Sequence, residues 1–563
     1  MWLPAVYFSS AERAMSDQAN LQRRTFLAVT TGATLAALHR WPQVAAAQQN
    51  SPLARKPSRT PDGSDAFFIN GEIPTMKVFI EDGELNKLRG NLRAYVKCRV
   101  VENDKTEYKD VGVKCKGAAG SFRSIDDRPA LTLNFDKYIK DQSFHAMDKI
   151  HLNNSVQDPT YMSEILCSDL NLAAGVPCAR ATHARVWVNN RDLGFYGLKE
   201  GFDKKFLKRH FASDKGNLYD GGFLQDIDAN LEKDEGKNPD DRSDLKALVD
   251  ACREGDPAKR WPRVNELLDV DAFITFMALE LMCCHWDGYC NNRNNYRVYF
   301  DPTNKKAYFM PHGMDQMFGD TNAGILHHPG AMVANTVMQN PEWRARYRDK
   351  VAELLPLFNP PDKLHQRLDQ IHARTRPVLA TINANAANDH DNQVKGFKER
   401  LTNRAKNLVQ QNAVVEPRPL KFDASGVAKL PAWAPKPTSD AMLMEDTPTG
   451  IKCLVIGVGP SGRSADSWRT KVTLPSGNYK LQARARVTDV AAVAESSGTG
   501  AGVRISGGQR ANKLEGTTDW TQIEHEFAVN GNMQDVELVA ELRATKGKVW
   551  FDLGSLQIAK VAK

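Results

Sequence analysis

His285-Trp286-Asp287-Gly288-Tyr289-Cys290-Asn291-Asn292-Arg293-Asn294-Asn295-Tyr296 is the stretch on which the fold turns. It lies between two patterns of different period. Ahead of it, residues 271–284 are an apolar run of helical length; behind it, Tyr296–Phe300 and Ala307–Met310 flank Asp301-Pro302-Thr303-Asn304 as a hairpin. An ionised Asp287 placed directly after an apolar helix needs a partner or a metal, because an uncompensated charge is costly away from water. Asn292, five residues on, offers an amide oxygen. The hairpin then runs into Met310-Pro311-His312-Gly313-Met314-Asp315-Gln316-Met317-Phe318-Gly319, which sets a second carboxylate, Asp315, at a strand end.

The interval from Asp287 to Asn292 is the D-x4-N spacing of a protein-kinase catalytic loop. An Asp after the next hairpin stands where such enzymes keep their second metal ligand. In that arrangement the Asp faces an acceptor hydroxyl, and the Asn reaches a metal bound to nucleotide phosphates. The same residues also serve plainer ends. Asn pairs recur at 153–154, 291–292 and 294–295, and Asn makes turns as readily as Asp caps helices.

Working outward, strand-like runs come first: Met76–Ile80, Tyr95–Val101, Asp110–Lys116 and Ala130–Phe135. A helix follows, capped by Asp158, with Pro159 at its first position and Gly175 and Pro177 at its end. Its apolar positions Met162, Ile165, Leu166, Leu170 and Ala173 bury one face. A hairpin, Ala184–Val188 and Phe195–Lys199, comes before the apolar helix, and residues 341–412 are mostly helical by pattern. Five prolines mark 414–445 as a linker. Beyond it, alternating runs such as Tyr479–Val487 and Val536–Leu542 between Gly, Ser, Asn and Asp predict an antiparallel β-sandwich.

The chain has 563 residues, room for about three domains at ~100–200 residues each. Its 75 Lys and Arg against 68 Asp and Glu give a formal charge of +7, too diffuse for the concentrated basic stripe of a nucleic-acid binder. No run reaches the ~18 apolar residues of a membrane span. At the N-terminus, Arg23 and Arg24 precede the uncharged stretch Phe26–Leu38 and the small-residue run Ala45-Ala46-Ala47. That order resembles a twin-arginine export signal and predicts one over 1–47, a receptor-read address with cleavage near Ala47. A linker at 48–65 follows. Translation starting at Met15 gives the signal a more usual short front. The nine cysteines are odd in number and form no CxxC or Cys/His zinc spacing. Since twin-arginine substrates fold before export, they are expected reduced and buried.

Six strings in serial order carry a family resemblance: VGVKCKGAAGSFRSIDDRPALTLNFDKY (111–138), DKIHLNN (148–154), DPTYMSEILCSDLNLAAGVPCARATHARVWVNN (158–190), GFYGLKEGFDKKFLKRHF (194–211), NNRNNYRVYFD (291–301) and PHGMDQMFGD (311–320). Over roughly residues 70–410 the chain resembles the CotH-kinase family, secreted or spore-coat proteins with an atypical protein-kinase-like fold. The resemblance implies an α+β kinase-like core at 66–413. The β-sandwich at 446–563 resembles the galactose-binding-like jelly roll of carbohydrate-binding modules.

The resemblance also assigns residues. The turn that stands in for a Gly-rich nucleotide loop falls on Lys116, Gly117 and Ser121. The basic residue of the next strand falls on Arg128, where relatives resemble Lys-Pro, and Glu200 falls where the family lines its nucleotide pocket. Asp287 becomes the catalytic group, and Asn292 and Asp315 the metal ligands. One carboxylate is missing from the late motif, which is often Asp-x-Asp and here is Gly313-Met314-Asp315. The implied function is transfer of the ATP γ-phosphoryl group, with Mg²⁺ or Mn²⁺, to Ser or Thr hydroxyls of a protein outside the cytoplasm. A cell-surface polysaccharide is a second implied partner, stacked on Trp468, Trp520 or Trp550 unless these fill the sandwich core. Two other classes stay open: a kinase-like envelope scaffold, and a glycoside hydrolase with Asp287 and Asp315 as its acid/base pair, which needs carboxylates ~5–10 Å apart.

Overall fold

The computed structural model describes residues 62–561, apart from Ala119, Val415, 494–498 and 531–532 and the side chains of Ile69, Asn70 and Ala384. The export signal at 1–47 and most of the 48–65 linker lie outside these residues.

Seven strands close into a barrel: β1 Thr75–Phe79, β2 Val96–Glu102, β3 Thr106–Lys116, β4 Ala130–Asn134, β5 Lys149–Asn153, β6 Ala181–Val188 and β7 Arg191–Glu200. Their order is β1-β2-β3-β4-β5-β7-β6, closed by a parallel pairing of β1 with β6. Alternation drives it. Along β2, Val96, Cys98, Val100 and Glu102 are buried, while Lys97 and Arg99 are exposed. The inward residues, among them Val78, Val113, Leu133, Ile150 and Leu198, form one apolar cluster. β5 was not among the expected strands; its central residues are buried and pair with β4 and β7.

A larger helical unit holds the second core, which gathers around the apolar helix Val270–Met282. Asp269 caps that helix by accepting from Ala272 N at 3.0 Å. Eleven of its thirteen residues are buried, all but Asp271 and Ala272, because β11 and several helices pack around it. Four strands, β8 Asn217–Asp220, β9 Glu232–Glu235, β10 Tyr296–Asp301 and β11 Lys306–Pro311, form its sheet in the order β11-β10-β8-β9. The helix expected from Pro159 begins four residues later, at Ser163. Asp158 still governs its start, accepting from Ser163 N at 3.0 Å and from Thr160 N and Oγ1 at 3.0 and 2.5 Å. Those bonds close an extra turn first. All nine cysteines are buried and free.

The third unit is antiparallel sheet. Its ten strands run from Val427–Lys429 to Gln557–Val561, dominated by the long strands Gly477–Ala492 and Gln534–Asp552. The proline-rich stretch expected to be a linker contributes three of them, Val427–Lys429, Ala434–Lys436 and Met442–Asp446. Proline is tolerated there because these strands are short or lie at sheet edges. Trp468 is core, its Nε1 donating to Val455 O at 3.1 Å.

Candidate functional site

Asp287 is held by the asparagines that follow it. Asn292 Nδ2 donates to Oδ1 at 2.6 Å; Asn294 and Asn295 donate to Oδ2 at 3.0 and 2.9 Å, and Asn295 also reaches the Asp287 carbonyl. Each hydrogen bond to a carboxylate is worth about 1.5–3 kcal/mol, so the side chain is fixed in position. The loop has its own support from Glu280, which is buried on the apolar helix. Its carboxylate accepts from Tyr289 N and Cys290 N, both at 2.9 Å. Burial pushes Glu280 up to about 7, and those bonds only partly offset it. A Cβ on Gly288 would lie 2.5 Å from Glu280 Oε1, so only glycine lets the loop pass here.

The Asp315 segment runs against this loop. Trp286 Nε1 donates to Gln316 Oε1 at 3.1 Å, Phe318 N to Cys283 O at 3.0 Å, and His312 N to Asn295 O at 2.8 Å. Gly313 has a φ of +54°, and a Cβ on it would lie 2.3 Å from Asn295 Oδ1. Both facts require glycine. Asp287 and Asp315 therefore stand on neighbouring, stapled segments.

A buried ion pair completes the cluster. Lys199 Nζ on β7 lies 2.5 Å from Glu164 Oε1 on the helix Ser163–Ala173, and 3.3 Å from His312 Nδ1. The Lys199 and Glu164 side chains are 1% and 12% exposed, so the pair is cut off from screening. Gly313 N also donates to His312 Nδ1, at 2.6 Å, which fixes that nitrogen as an acceptor. Burial, with Lys199, Arg297 and Lys116 nearby, holds His312 well below the ordinary histidine range. Lys116 enters from β3, its Nζ donating to Asn153 Oδ1 at 2.6 Å. Burial lowers its ammonium to about 7; Lys199 adds to this, and Glu164 and Asp315 oppose it. Asp315 is pushed up to about 7, by burial first and then by the charges of Glu164 and Asp158. His285 is buried near Asp287, Glu164 and Glu280, its Nδ1 3.8 Å from Glu280 Oε1. Burial lowers it to about 4 against the pull of Asp287 and Glu164.

The expected residues thus divide. Asp315 and Lys116 share one charged cluster with Lys199 and Glu164, and Asp287 with Asn292 forms the neighbouring loop stapled to the Asp315 segment. Gly117 and Ser121 form the turn beside Lys116: Gly117 has φ +103°, Ser121 Oγ accepts from Ala118 N at 3.3 Å, and Asn154 Nδ2 donates to Ser121 O at 3.0 Å and Arg128 O at 2.9 Å. The Arg128 side chain is spent on protein, donating to Phe195 O at 2.7 Å and lying over the Tyr196 ring.

Glu200 is not brought to the cluster. It accepts from Arg180 Nε and Nη2, both at 3.2 Å, and from Arg209 Nη2, in a buried network with Asp62, Ser64 and Asp65. Successive side chains on a strand face opposite ways, so Lys199 points to the cluster and Glu200 away. Lys199, Glu164, Asn153, Asn154, Glu280, Asn295 and His312 were not singled out from sequence. The available signal was strand period: the residue beside the expected Glu200 is the one facing the site.

The donors suit a hard divalent cation. Asp315 forms no ion pair among the described residues, and only the more distant Lys199 and Lys116 offset its buried charge. The Asn292 amide nitrogen is engaged by Asp287, and its oxygen accepts no bond among the described residues. Among the described residues no group of three or more His, Cys, Asp or Glu surrounds one point. Mg²⁺ in phosphate-transfer sites is typically held by one or two carboxylates, with phosphates and water completing its shell.

A buried lysine–glutamate pair, an Asp-x4-Asn loop and a later Asp are residue types that protein kinases also use. Residues 113–408 match the family model described as CotH kinase protein, more than half of the chain, and the chain belongs to that family. Invasin CotH3 of Rhizopus delemar is 24% identical over 347 residues, covering 55% of this chain and 57% of that protein. Inner spore coat protein H of Bacillus subtilis is 22% identical over 239 residues, covering 40% of this chain and 64% of that protein. The chain thus spans little more than half the length of such curated relatives. Among solved structures, the Golgi casein kinase with Mn and ADP bound aligns over 72% of this chain and 91% of its own, at 8% identity and a TM-score of 0.24. The carbohydrate-binding module TmCBM61 in complex with β-1,4-galactotriose aligns over 24% of this chain and 91% of its own, at 12% identity and a TM-score of 0.18. Among the described residues no helix is long and apolar enough to cross a membrane.

Proposed function

We propose that this protein is an exported phosphotransferase that moves the ATP γ-phosphoryl group to Ser or Thr hydroxyls of a protein. One observation carries the reading: the Lys199–Glu164 pair lies in the same charged cluster as Asp315, beside the Asp287 loop. Phosphoryl transfer needs positioning and charge neutralisation more than covalent help. Lys199, held by Glu164 and His312, and Lys116, held by Asn153, present two ammonium groups to phosphate oxygens. The 116–121 turn lies beside them. Asp315 and the Asn292 amide oxygen would hold Mg²⁺ or Mn²⁺. Bound there, the metal would neutralise charge building on the phosphates. Asp287, fixed by three amides, orients the acceptor hydroxyl and takes its proton.

In this reading the sequence pattern at 1–47 is a twin-arginine signal, and relatives named invasin and spore coat protein support an extracytoplasmic site of action. The C-terminal sheet unit serves in this reading as a jelly-roll, carbohydrate-binding-like tail that brings the catalytic unit to a cell-surface polysaccharide. The test is purified protein with labelled ATP and Mn²⁺, read for self-labelling and acceptor labelling beside Asp315→Ala. Labelling lost in the variant supports the reading; equal labelling, or none in either protein, overturns it. A kinase-like scaffold is the second reading. It is favoured by the single carboxylate of Gly313-Met314-Asp315, and nucleotide binding without transfer would select it.

A further inference from the structure

One face of the C-terminal sheet carries a row of side chains that runs from the fully buried Val455 to the partly open Met444, Arg486, Trp520 and Trp550. Register places them side by side across neighbouring strands: Met444 opposite Val455, Val455 opposite Trp550, and Trp550 opposite Arg486. Trp520 follows on the next strand. The Arg486 guanidinium lies 4.6 Å from the Trp550 ring and 5.6 Å from that of Trp520. Lys548 lies 4.6 Å over Trp550. The opposite face, with Leu454, Val549, Phe551 and Val487, is the apolar core, so Arg486, Trp520 and Trp550 lie on the other face of the sheet, with Val455 covered beside them. Trp520 and Trp550 are half-buried and Met444 is 40% exposed.

The charges on this row are unbalanced. Arg484, beside Trp520, is paired with Asp552 at 2.7 Å. Arg486 and Lys548 form no ion pair among the described residues. Arg486 Nε and Trp550 Nε1 are buried with no hydrogen-bond acceptor. Two indole rings two strands apart, about 9–10 Å, have roughly the reach of a disaccharide.

We infer that this face binds an acidic polysaccharide, pyranose faces stacking on Trp520 and Trp550 and uronate carboxylates meeting Arg486 and Lys548. The inference rests on reading the C-terminal unit as sugar-binding and deepens it by fixing the charge of the ligand. Cation and aromatic act together: the rings supply flat apolar contact, and the cations accept a partner that a neutral sugar lacks. A nucleic acid also offers anions and flat rings. Against it, the cations here flank the rings instead of tracking a long basic groove, the form that single-strand binders take.

The test is affinity electrophoresis of the full chain through gels holding polygalacturonate, neutral β-galactan, polyglutamate or single-stranded DNA. Polygalacturonate should retard it more than the other three. Arg486→Gln with Lys548→Gln should weaken that retardation by roughly tenfold, and Arg486→Lys should keep most of it. Trp520→Ala, at a half-buried position, should weaken it with an unchanged melting temperature. Equal retardation by β-galactan overturns the acidic preference but leaves the sugar-binding tail standing. Retardation by no polysaccharide overturns both. Equal retardation by polyglutamate, or stronger retardation by DNA, overturns the inference in favour of plain charge or nucleic acid.

Discussion

Lys199 on the barrel and Glu164 on the first helix of the helical unit meet at 2.5 Å, and the pair joins the two units at the site. Removing one partner leaves the other buried and charged, which costs about 3–5 kcal/mol. Lys199→Met should therefore lower both stability and phosphotransfer. Lys199→Met with Glu164→Leu should regain much of the melting temperature and none of the activity. Activity returning with stability would show that the pair is only structural.

Asp315 gives a pH dependence. Its folded value, about 7, lies above the ordinary carboxyl value of 3.8. Its contribution to stability is thus fully present below about pH 3.8 and is lost as pH rises through about 7. Asp315→Asn should raise the melting temperature above pH 7 and change it little near pH 4. A metal ligand must be deprotonated, so Mn²⁺-dependent nucleotide affinity should fall about tenfold per pH unit below about 7. Calorimetry at a series of pH values checks both, and a flat profile contradicts the assignment.

Asp287 and its clamp separate chemistry from binding. Asp287→Asn should keep nucleotide affinity and lower turnover by ~10²–10⁴. Asn295→Ala removes two bonds to Asp287 and frees Gly313 from its neighbour. It should lower turnover by ~10-fold or more. Single-turnover kinetics beside equilibrium binding distinguishes these variants from ones that merely bind less.

Glu200 belongs to the fold. Glu200→Ala leaves Arg180 and Arg209 buried with less negative charge around them, at a cost of about 3–5 kcal/mol. The expected result is a lower melting temperature with KM for ATP unchanged in the protein that remains folded. A specific rise in that KM would return Glu200 to the nucleotide pocket.

Export is tested at the arginines. Arg23→Lys with Arg24→Lys should leave the protein in the cytoplasm, measured by fractionation and by the size of the processed chain. Normal processing of the double variant would remove the twin-arginine assignment.

Local pattern carried much of this in the sequence. The apolar run of residues 271–284, the hairpin after Tyr296 and the two-residue alternation of the barrel and C-terminal strands fixed element types, because period and turn chemistry are properties of adjacent residues. The Asp-x4-Asn interval is equally local; it singles out Asp287 and Asn292, which the structure joins by a hydrogen bond. Tertiary structure decided what faces what. Which of Lys199 and Glu200 enters the site depends on the pleat of β7 relative to the helix bearing Glu164, 35 residues earlier in the chain. Three prolines, Pro431, Pro435 and Pro437, read as linker, yet Pro435 pairs opposite Trp468. An edge strand takes its hydrogen bonds from a distant neighbour, and no local pattern records that neighbour. The near-neutral values of Lys116 and Asp315 arise the same way: burial and charges from four separate segments meet only when the barrel closes over the helical unit.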